Sequence, residues 1–500
     1  MNATETTTTG TTAPQEKQRG MMVYRPTATQ KTKDAPPDSD GEPIRSKVDG
    51  AGLVAMDPEK RIADVPLYYY SDKGRWYGPN GHGGFSNMTD AAAKALVAEH
   101  GLSRSQRDET GNSKADRATL WLMQHRSVAY AGLVAGYPAG IHDVEGTRIL
   151  VTESSRCIEP GQGDFPTIRR LVETMLADDS NPQISCFYLW CAASYRTYSN
   201  RMLGKGDSSN WPFRHCPALA IFGPRKCGKT ALIDLVIGPL FGGRKADPMN
   251  FLRDPKFNKD LVVAPILVLD DKGASSSLAD RRQRGEGIKD LIWKPEQRME
   301  GKGADAVMLR PFWRLIIAGN DDDAGLQVCP ALSPSLTDKL IILKAREAQG
   351  LPSTDSENDE WKAAITRELP AFASFLLGWE PPEGTQIDPR SRVMNFWHPE
   401  IVDALREMQP EMRLLDLIDS LKLISPQNPH WEGTSGEFED AMRQVDKERL
   451  LDRIFVTGTS AGRMLSELSR MTNRVKKTNR HGRSYYRILP PPPVPSPPPS

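Results

Sequence analysis

"CPALAIFGPRKCGKTALIDLVIGPLFGG", Cys216–Gly243, sets Gly223-x-x-x-x-Gly228-Lys229-Thr230 between an apolar run and a helical pattern. Glycines at Gly223 and Gly228 let a loop curl until successive backbone N–H groups aim at one spot, which is how phosphate oxygens are held. Pro224, Arg225, Lys226 and Cys227 complete that phosphate-binding loop. Lys229 stands where an ammonium reaches the β- and γ-phosphates, and Thr230 where a hydroxyl ligates Mg2+. The helix that follows turns its positive N-terminus toward the anion. Context supports the motif, because Ala218–Phe222 reads as a buried strand and Ala231, Leu232, Leu235, Val236 and Leu240 read as the inner face of the next helix. The expected cofactors are ATP and Mg2+.

Two further strand ends extend the pattern. "VVAPILVLDDKG" carries Ile266–Leu269, a continuous apolar run of the kind a strand buried on both faces needs, and it ends in Asp270-Asp271. At the C-terminal end of a strand in an open α/β sheet, Asp270 would hold the Mg2+ shell and Asp271 would polarise the attacking water. "FWRLIIAGNDDD" offers a third strand with Asn320 just past its end, where a neutral amide orients water and touches the γ-phosphate. The intervals between the three motifs are long enough for crossover connections. Together they predict an α/β domain with a parallel sheet and one ATP site.

The chain of 500 residues exceeds what one core serves, so two or three domains with tails are expected. Its net charge of +1 makes any nucleic-acid site a local concentration of cations. The six cysteines form no C-x-x-C pair and no zinc-ligand spacing, which fits a reduced, cytoplasmic setting. No apolar run approaches the ~18 residues of a membrane span, so no membrane partner is expected. Residues 1–60, rich in Thr, Pro and charge, are expected to be a disordered arm, and 490–500 a Pro-rich extended tail. Between them the expected order is an N-terminal α+β region (61–180), the ATPase domain (181–379), a linker (380–394) and a C-terminal DNA-binding module (395–489).

That module reads as follows. Thr434 and Glu437 form a capping box, and a second helix starts near Ser460 with Met464, Leu465, Leu468 and Met471 facing inward. Arg463, Glu467, Arg470 and Arg474 are expected on its outer face. "VKKTNRHGRSYYRI" predicts two extended runs around His481-Gly482. A helix followed by a basic hairpin is the winged-helix arrangement, and Arg463–Arg487 holds eight Lys/Arg against one acid, Glu467. Arg463, Arg470, Arg474, Lys476 and Lys477 are the candidate DNA contacts. In the N-terminal region "LYYYSDKGRWYG" reads as a hairpin and "TDAAAKALVAEHGL" as a helix stopped by Gly101, with Trp121 and Tyr130 as core.

The order GPxxxGKT, apolar-DD, a basic segment and apolar-x-Asn resembles the superfamily 3 helicases of viruses and phages, which are hexameric AAA+ ATPases. "FNKDLVVAPILVLDD", "MLRPFWRLIIAGND" and "SLTDKLIILKA" resemble more closely the helicase part of phage and prophage primase-polymerase proteins. The resemblance implies a homo-hexameric ring that translocates on single-stranded or forked DNA, with Asn320 as sensor. It also implies a pore-lining hairpin between the second and third strands, where Lys302 sits between Gly301 and Gly303 as a phosphate-gripping tip. Related helicases carry an arginine after the sensor strand that reaches the neighbouring subunit. Here "TDKLIILKAR" offers Lys339, Lys344 and Arg346, with Lys339 and Arg346 as candidates. No strand-borne acidic pair for a primase is seen outside the ATPase, so a primase or polymerase would be a separate chain. A DNA-binding ATPase switch that remodels replication proteins without unwinding, and a packaging motor, remain open alternatives.

Overall fold

The structure, a computed structural model, describes residues 62–178, 182–202, 215–253, 258–270, 278–294, 296–299, 306–425, 428–455, 460–480 and 482–491. All of them fall in one compact unit, Asp57–Ser500. The arm expected over 1–60, Asp271, Lys302 and the tail from 492 onward lie outside the described residues.

The hairpin expected near the start is present: β1 (Tyr68–Tyr70) pairs antiparallel with β2 (Arg75–Pro79), and β3 (Phe85–Met88) extends it. Helix α1 (Asp90–Glu99) opens on Thr89, whose hydroxyl accepts the Ala92 N–H, and it ends before Gly101 at φ 82°. Helix α2 (Lys114–His125) starts with a capping box of Ser113 and Asp116, and β4 (Ser127–Val128) joins β1 in parallel. Trp76, Val97 and Leu122 close a small core here, against which Trp121 is partly buried. A second sheet, β5 (Tyr130–Gly132), β6 (Gly140–Val144) and β7 (Thr147–Val151), turns Tyr130, Ile149 and Val151 into a larger core that it shares with the central sheet. Helix α3 (Pro166–Met175) and helix α4 (Gln183–Met202) pack on the opposite face of that sheet, so 165–176 shares its core as well.

The central sheet follows from its apolar runs. It comprises β8 (Ala218–Phe222), β9 (Lys245–Ala246) and β10 (Ile266–Leu269). Helix α5 (Leu278–Trp293) and a hairpin of β11 (Gln297–Met299) and β12 (Val307–Leu309) come next. The sheet then continues with β13 (Arg314–Gly319) and β14 (Leu340–Lys344). The spatial order is β14-β8-β13-β10-β9, parallel throughout. Successive residues alternate between two cores, with Leu219 and Ile221 on one side and Ala218, Ala220 and Phe222 on the other. A strand with both faces covered by other elements is apolar along its middle, which is why these runs are continuous, with Arg314 and Lys344 standing only at strand ends.

Helix α6 (Asp355–Gly378) packs with α3 and α4 over one face. The expected linker 380–394 contains no helix or strand but is fastened down, with Asp388 accepting the N–H groups of Arg390 and Ser391 and with Val393 and Met394 buried. Beyond it the Ile342 N–H donates to Phe396 O and the His398 N–H to Ile342 O, both at 2.8 Å, which covers the outer edge of β14.

The C-terminal elements have a core of their own. They are α7 (Pro410–Ser420), β15 (Trp431–Thr434), α8 (Ser435–Val445), α9 (Ala461–Met471), β16 (Val475–Arg480) and β17 (Arg483–Ile488). The strands form an antiparallel sheet in the order β15-β17-β16. Thr434 and Glu437 make the expected capping box, Ser460 caps α9, and Gly482 at φ 76° lies in the turn. Met464, Leu465 and Leu468 face inward. Met471 does not: it is the last residue of α9, past the core, and is 37% exposed.

Candidate functional site

Because the five strands run one way, the loops leaving their C-terminal ends share one edge of the sheet. Phe222 stands opposite Gly319 of β13 and Lys344 of β14, so the loop 223–230, Asn320 and Ala345 emerge side by side. β10, which delivers Asp270, lies one strand farther out. The strand of Asn320 therefore separates the phosphate loop from the strand of Asp270.

The loop requires its glycines. A Cβ on Gly223 would fall 2.3 Å from the carbonyl oxygen of Ala345, whose N–H is in turn fixed on Phe222 O at 2.6 Å. Gly228 at φ 105° and Lys226 at φ 64° are both left-handed, and such turns bring successive N–H groups to one side. The ammonium of Lys229 donates to Gly223 O at 2.7 Å and Pro224 O at 2.8 Å and lies 3.5 Å from Cys227 Sγ, which holds it over the loop. The following helix runs as Lys229–Ala231, a π-helical Leu232–Ile237 and Gly238–Leu240, with Leu232, Val236 and Leu240 buried as expected.

A cavity of about 600 Å³ opens here, with Arg225–Thr230, Asp270 and Asn320 on the sheet side. Its opposite wall, unexpected from the sequence, is Leu351, Pro352, Asn358 and Trp361. That wall is set by the chain leaving β14. The Ala348 N–H donates to Cys227 O at 3.2 Å, and Thr354 with Glu357 forms the capping box that starts α6. The Thr-x-x-Glu box after a strand, with Asn and Trp three residues apart behind it, was the available signal. Thr230 and Asp270 also border a second cavity of about 340 Å³ that reaches Asp234 and Asp247.

A hydroxyl and a carboxylate on one cavity are hard oxygen donors that suit Mg2+. Among the described residues no group of three or more His, Cys, Asp or Glu could hold a metal ion, and Mg2+ usually keeps several waters beside one or two carboxylates and phosphate oxygens. All six cysteines are free, and burial pushes the thiols of Cys186 and Cys329 up to about 12, which keeps those two protonated.

The two candidate trans cations sit at opposite ends of β14. Lys339 precedes the strand, on the edge away from the loop, and is 8% exposed, bonded to Asp338 at 2.6 Å and set 4.8 Å over the Trp293 ring. Arg346 follows the strand on the cavity edge, with its side chain 52% exposed and 3.7 Å from Asp178, which also bonds buried His398 at 2.8 Å. Lys344 pairs with Glu400.

The expected DNA contacts divide in the same way. Arg463 and Lys476 are exposed. Arg470 pairs with Glu467 at 3.0 Å with its side chain 67% exposed, and Lys477 donates to Ser466 Oγ at 2.7 Å. Arg474 departs from expectation. Thr472 leaves the helix in an extended conformation, so Arg474 turns inward and makes a two-pronged pair with Asp419 at 2.8 and 2.6 Å. Its Nε donates to Leu489 O, which fastens β16 to α7 and the last strand.

A family model described as "Family of unknown function (DUF5906)" matches residues 221–328, the span from the phosphate loop to just past Asn320. No curated protein matches the chain. Among solved structures it is similar to the A-form apo NrS-1 C-terminal region at 12% identity and TM-score 0.47, over 87% of this chain and 100% of that one. An apo NrS-1 C-terminal region (305–718) is similar at 14% identity and TM-score 0.47, over 85% and 95%. JCV helicase bound to an acetamide compound is similar at 12% identity and TM-score 0.26, over 52% and 71%. At these scores none of them fixes an activity for this chain. Among the described residues no helix is long and apolar enough to cross a membrane.

Proposed function

We propose that the chain is an ATP-dependent DNA helicase of the phage or prophage replication type, a homo-hexameric ring whose ATP hydrolysis drives translocation on single-stranded DNA. The observation that carries this reading is the convergence of loop 223–230, Asp270 and Asn320 on one cavity of about 600 Å³, within the range of small-molecule sites. The loop N–H groups and the Lys229 ammonium would cradle the phosphates. Thr230 and Asp270 would hold Mg2+, whose chemistry is to neutralise charge on the β- and γ-phosphate oxygens. Asn320 would orient the attacking water, and Asp271 would polarise it. Arg346, at the cavity end of β14, would be the cation that reaches a neighbour's γ-phosphate. Lys302 would grip the strand between β11 and β12, and the C-terminal elements would act as a winged helix with Arg463, Arg470, Lys476 and Lys477 toward DNA.

One observation favours a second reading, an ATPase switch that binds DNA and remodels replication proteins without unwinding. The C-terminal elements have their own core, so their cations could hold DNA independently of any ring. Strand displacement on a forked duplex separates the two. The helicase reading expects ATP-dependent unwinding by the full chain and none by Lys229→Ala, which loses ATP binding. DNA-stimulated hydrolysis without displacement would favour the switch. An unchanged hydrolysis rate in Lys229→Ala would refute both.

A further inference from the structure

The wall facing the phosphate loop has a chemistry that phosphate binding does not use. Leu351 and Pro352 are half-buried and apolar, and Asn358 and Trp361 border the cavity from the first turns of α6. Their positions are fixed from two sides. The chain before them is tied to the loop by the Ala348 N–H bond to Cys227 O, and Leu351 lies 3.6 Å from where a Gly228 side chain would begin. The helix itself is pinned by the Thr354–Glu357 capping box and by Glu368, whose carboxylate accepts the Thr167 and Ile168 N–H groups of α3.

Among the described residues the side chains of Asn358 and Trp361 make no hydrogen bond, although each is half-buried. A half-buried carboxamide beside an apolar and aromatic surface carries one acceptor and two donors with no protein partner. A flat heterocycle whose edge carries a donor beside an acceptor, as adenine does with its N6 amino group and N7, satisfies both features at once. The carboxamide matches the adenine edge in two-pronged fashion, and an aromatic face stacks on any base.

We propose that Leu351, Pro352, Asn358 and Trp361 form a base-recognition subsite that selects adenine among the nucleoside triphosphates. This rests on the reading of 223–230 as a phosphate loop and extends it. In the subsite the Asn358 carboxamide reads the base edge, while Trp361 with Leu351 and Pro352 supplies affinity without choosing between bases. The cavity thus has a phosphate half from the sheet and a base half from α6.

Calorimetric titration of the full chain with ATP, GTP and inorganic tripolyphosphate, each with Mg2+, tests the division. Wild type is expected to bind ATP at least about tenfold more tightly than GTP. Asn358→Leu should bring the two within about threefold by weakening ATP. Asn358→Asp, the same shape with acceptors only, should shift the ratio toward GTP. Trp361→Ala should weaken both nucleotides alike. Tripolyphosphate binding should be unchanged in all three variants, which also shows that they fold. Retained ATP preference in both Asn358 variants, or no preference in wild type, would overturn the subsite while leaving the phosphate loop standing. If wild type bound neither tripolyphosphate nor ATP, the phosphate-loop reading would fall together with this one.

Discussion

Replacing Arg474 separates internal architecture from DNA contact in the C-terminal elements. Its guanidinium makes two bonds to Asp419, at 2.8 and 2.6 Å, and one to Leu489 O at 3.2 Å, with side-chain exposures of 15% for Arg474 and 30% for Asp419. Breaking a fully buried pair costs about 3–5 kcal/mol, because the abandoned partner stays desolvated, whereas an exposed pair is worth roughly 0–1. Intermediate exposure puts Arg474→Met near 2 kcal/mol, with the methionine keeping the apolar packing of the stem. Since every ~1.4 kcal/mol is a factor of ten, amide exchange in Val475–Arg480 should accelerate about 30-fold if those amides exchange by opening of this core. The salt dependence of single-stranded DNA binding should not change. The contrasting variant removes Arg470 and Lys476 together, both exposed, and should flatten the salt slope by about 0.7 per lost phosphate contact while leaving exchange as in wild type. If Arg474→Met flattened the salt slope and left exchange unaltered, the reasoning would be refuted and Arg474 would return to the DNA surface.

Gly223→Ala forces a methyl to within 2.3 Å of the Ala345 backbone oxygen just past the neighbouring strand, where no side chain can move aside. The expected cost is about 3 kcal/mol, the upper end for overpacking, seen as a fall in melting temperature of roughly 6–12 °C by the scaling for domains of ~200 residues and as lost ATP binding. Normal melting with normal ATP affinity would show that the β8–β14 contact is not as tight as described. Arg346→Ala should have little ATPase alone, yet mixing it with Lys229→Ala should restore part of the activity, because a mixed interface can pair an intact loop with an intact cation. Mixtures as inactive as both parents, under conditions where subunits exchange, would remove Arg346 from the trans role.

The sheet was readable because a parallel strand covered on both faces is apolar along its middle, so Ala218–Phe222, Ile266–Leu269 and Leu315–Ala318 stand out without any periodicity. Helix starts were equally readable, since Thr434 and Ser460 act through bonds to their own next turn. Strand order was not, because the chain length between motifs permits several crossovers, and only the fold puts Asn320 between the loop and Asp270. Lys339 and Arg346 look equivalent in "TDKLIILKAR", yet a strand of five residues carries them to opposite edges of the sheet. Arg474 continued a helical spacing by count, but the helix had ended at Met471, and one extended residue reversed the direction of the side chain. The wall of Leu351, Pro352, Asn358 and Trp361 shows the same limit from the other side. None of these residues belongs to a motif, and they meet the phosphate loop only because the chain leaving β14 is bonded back onto Cys227. Local rules therefore decide which elements exist, while the direction in which an element ends decides which of its charges can act.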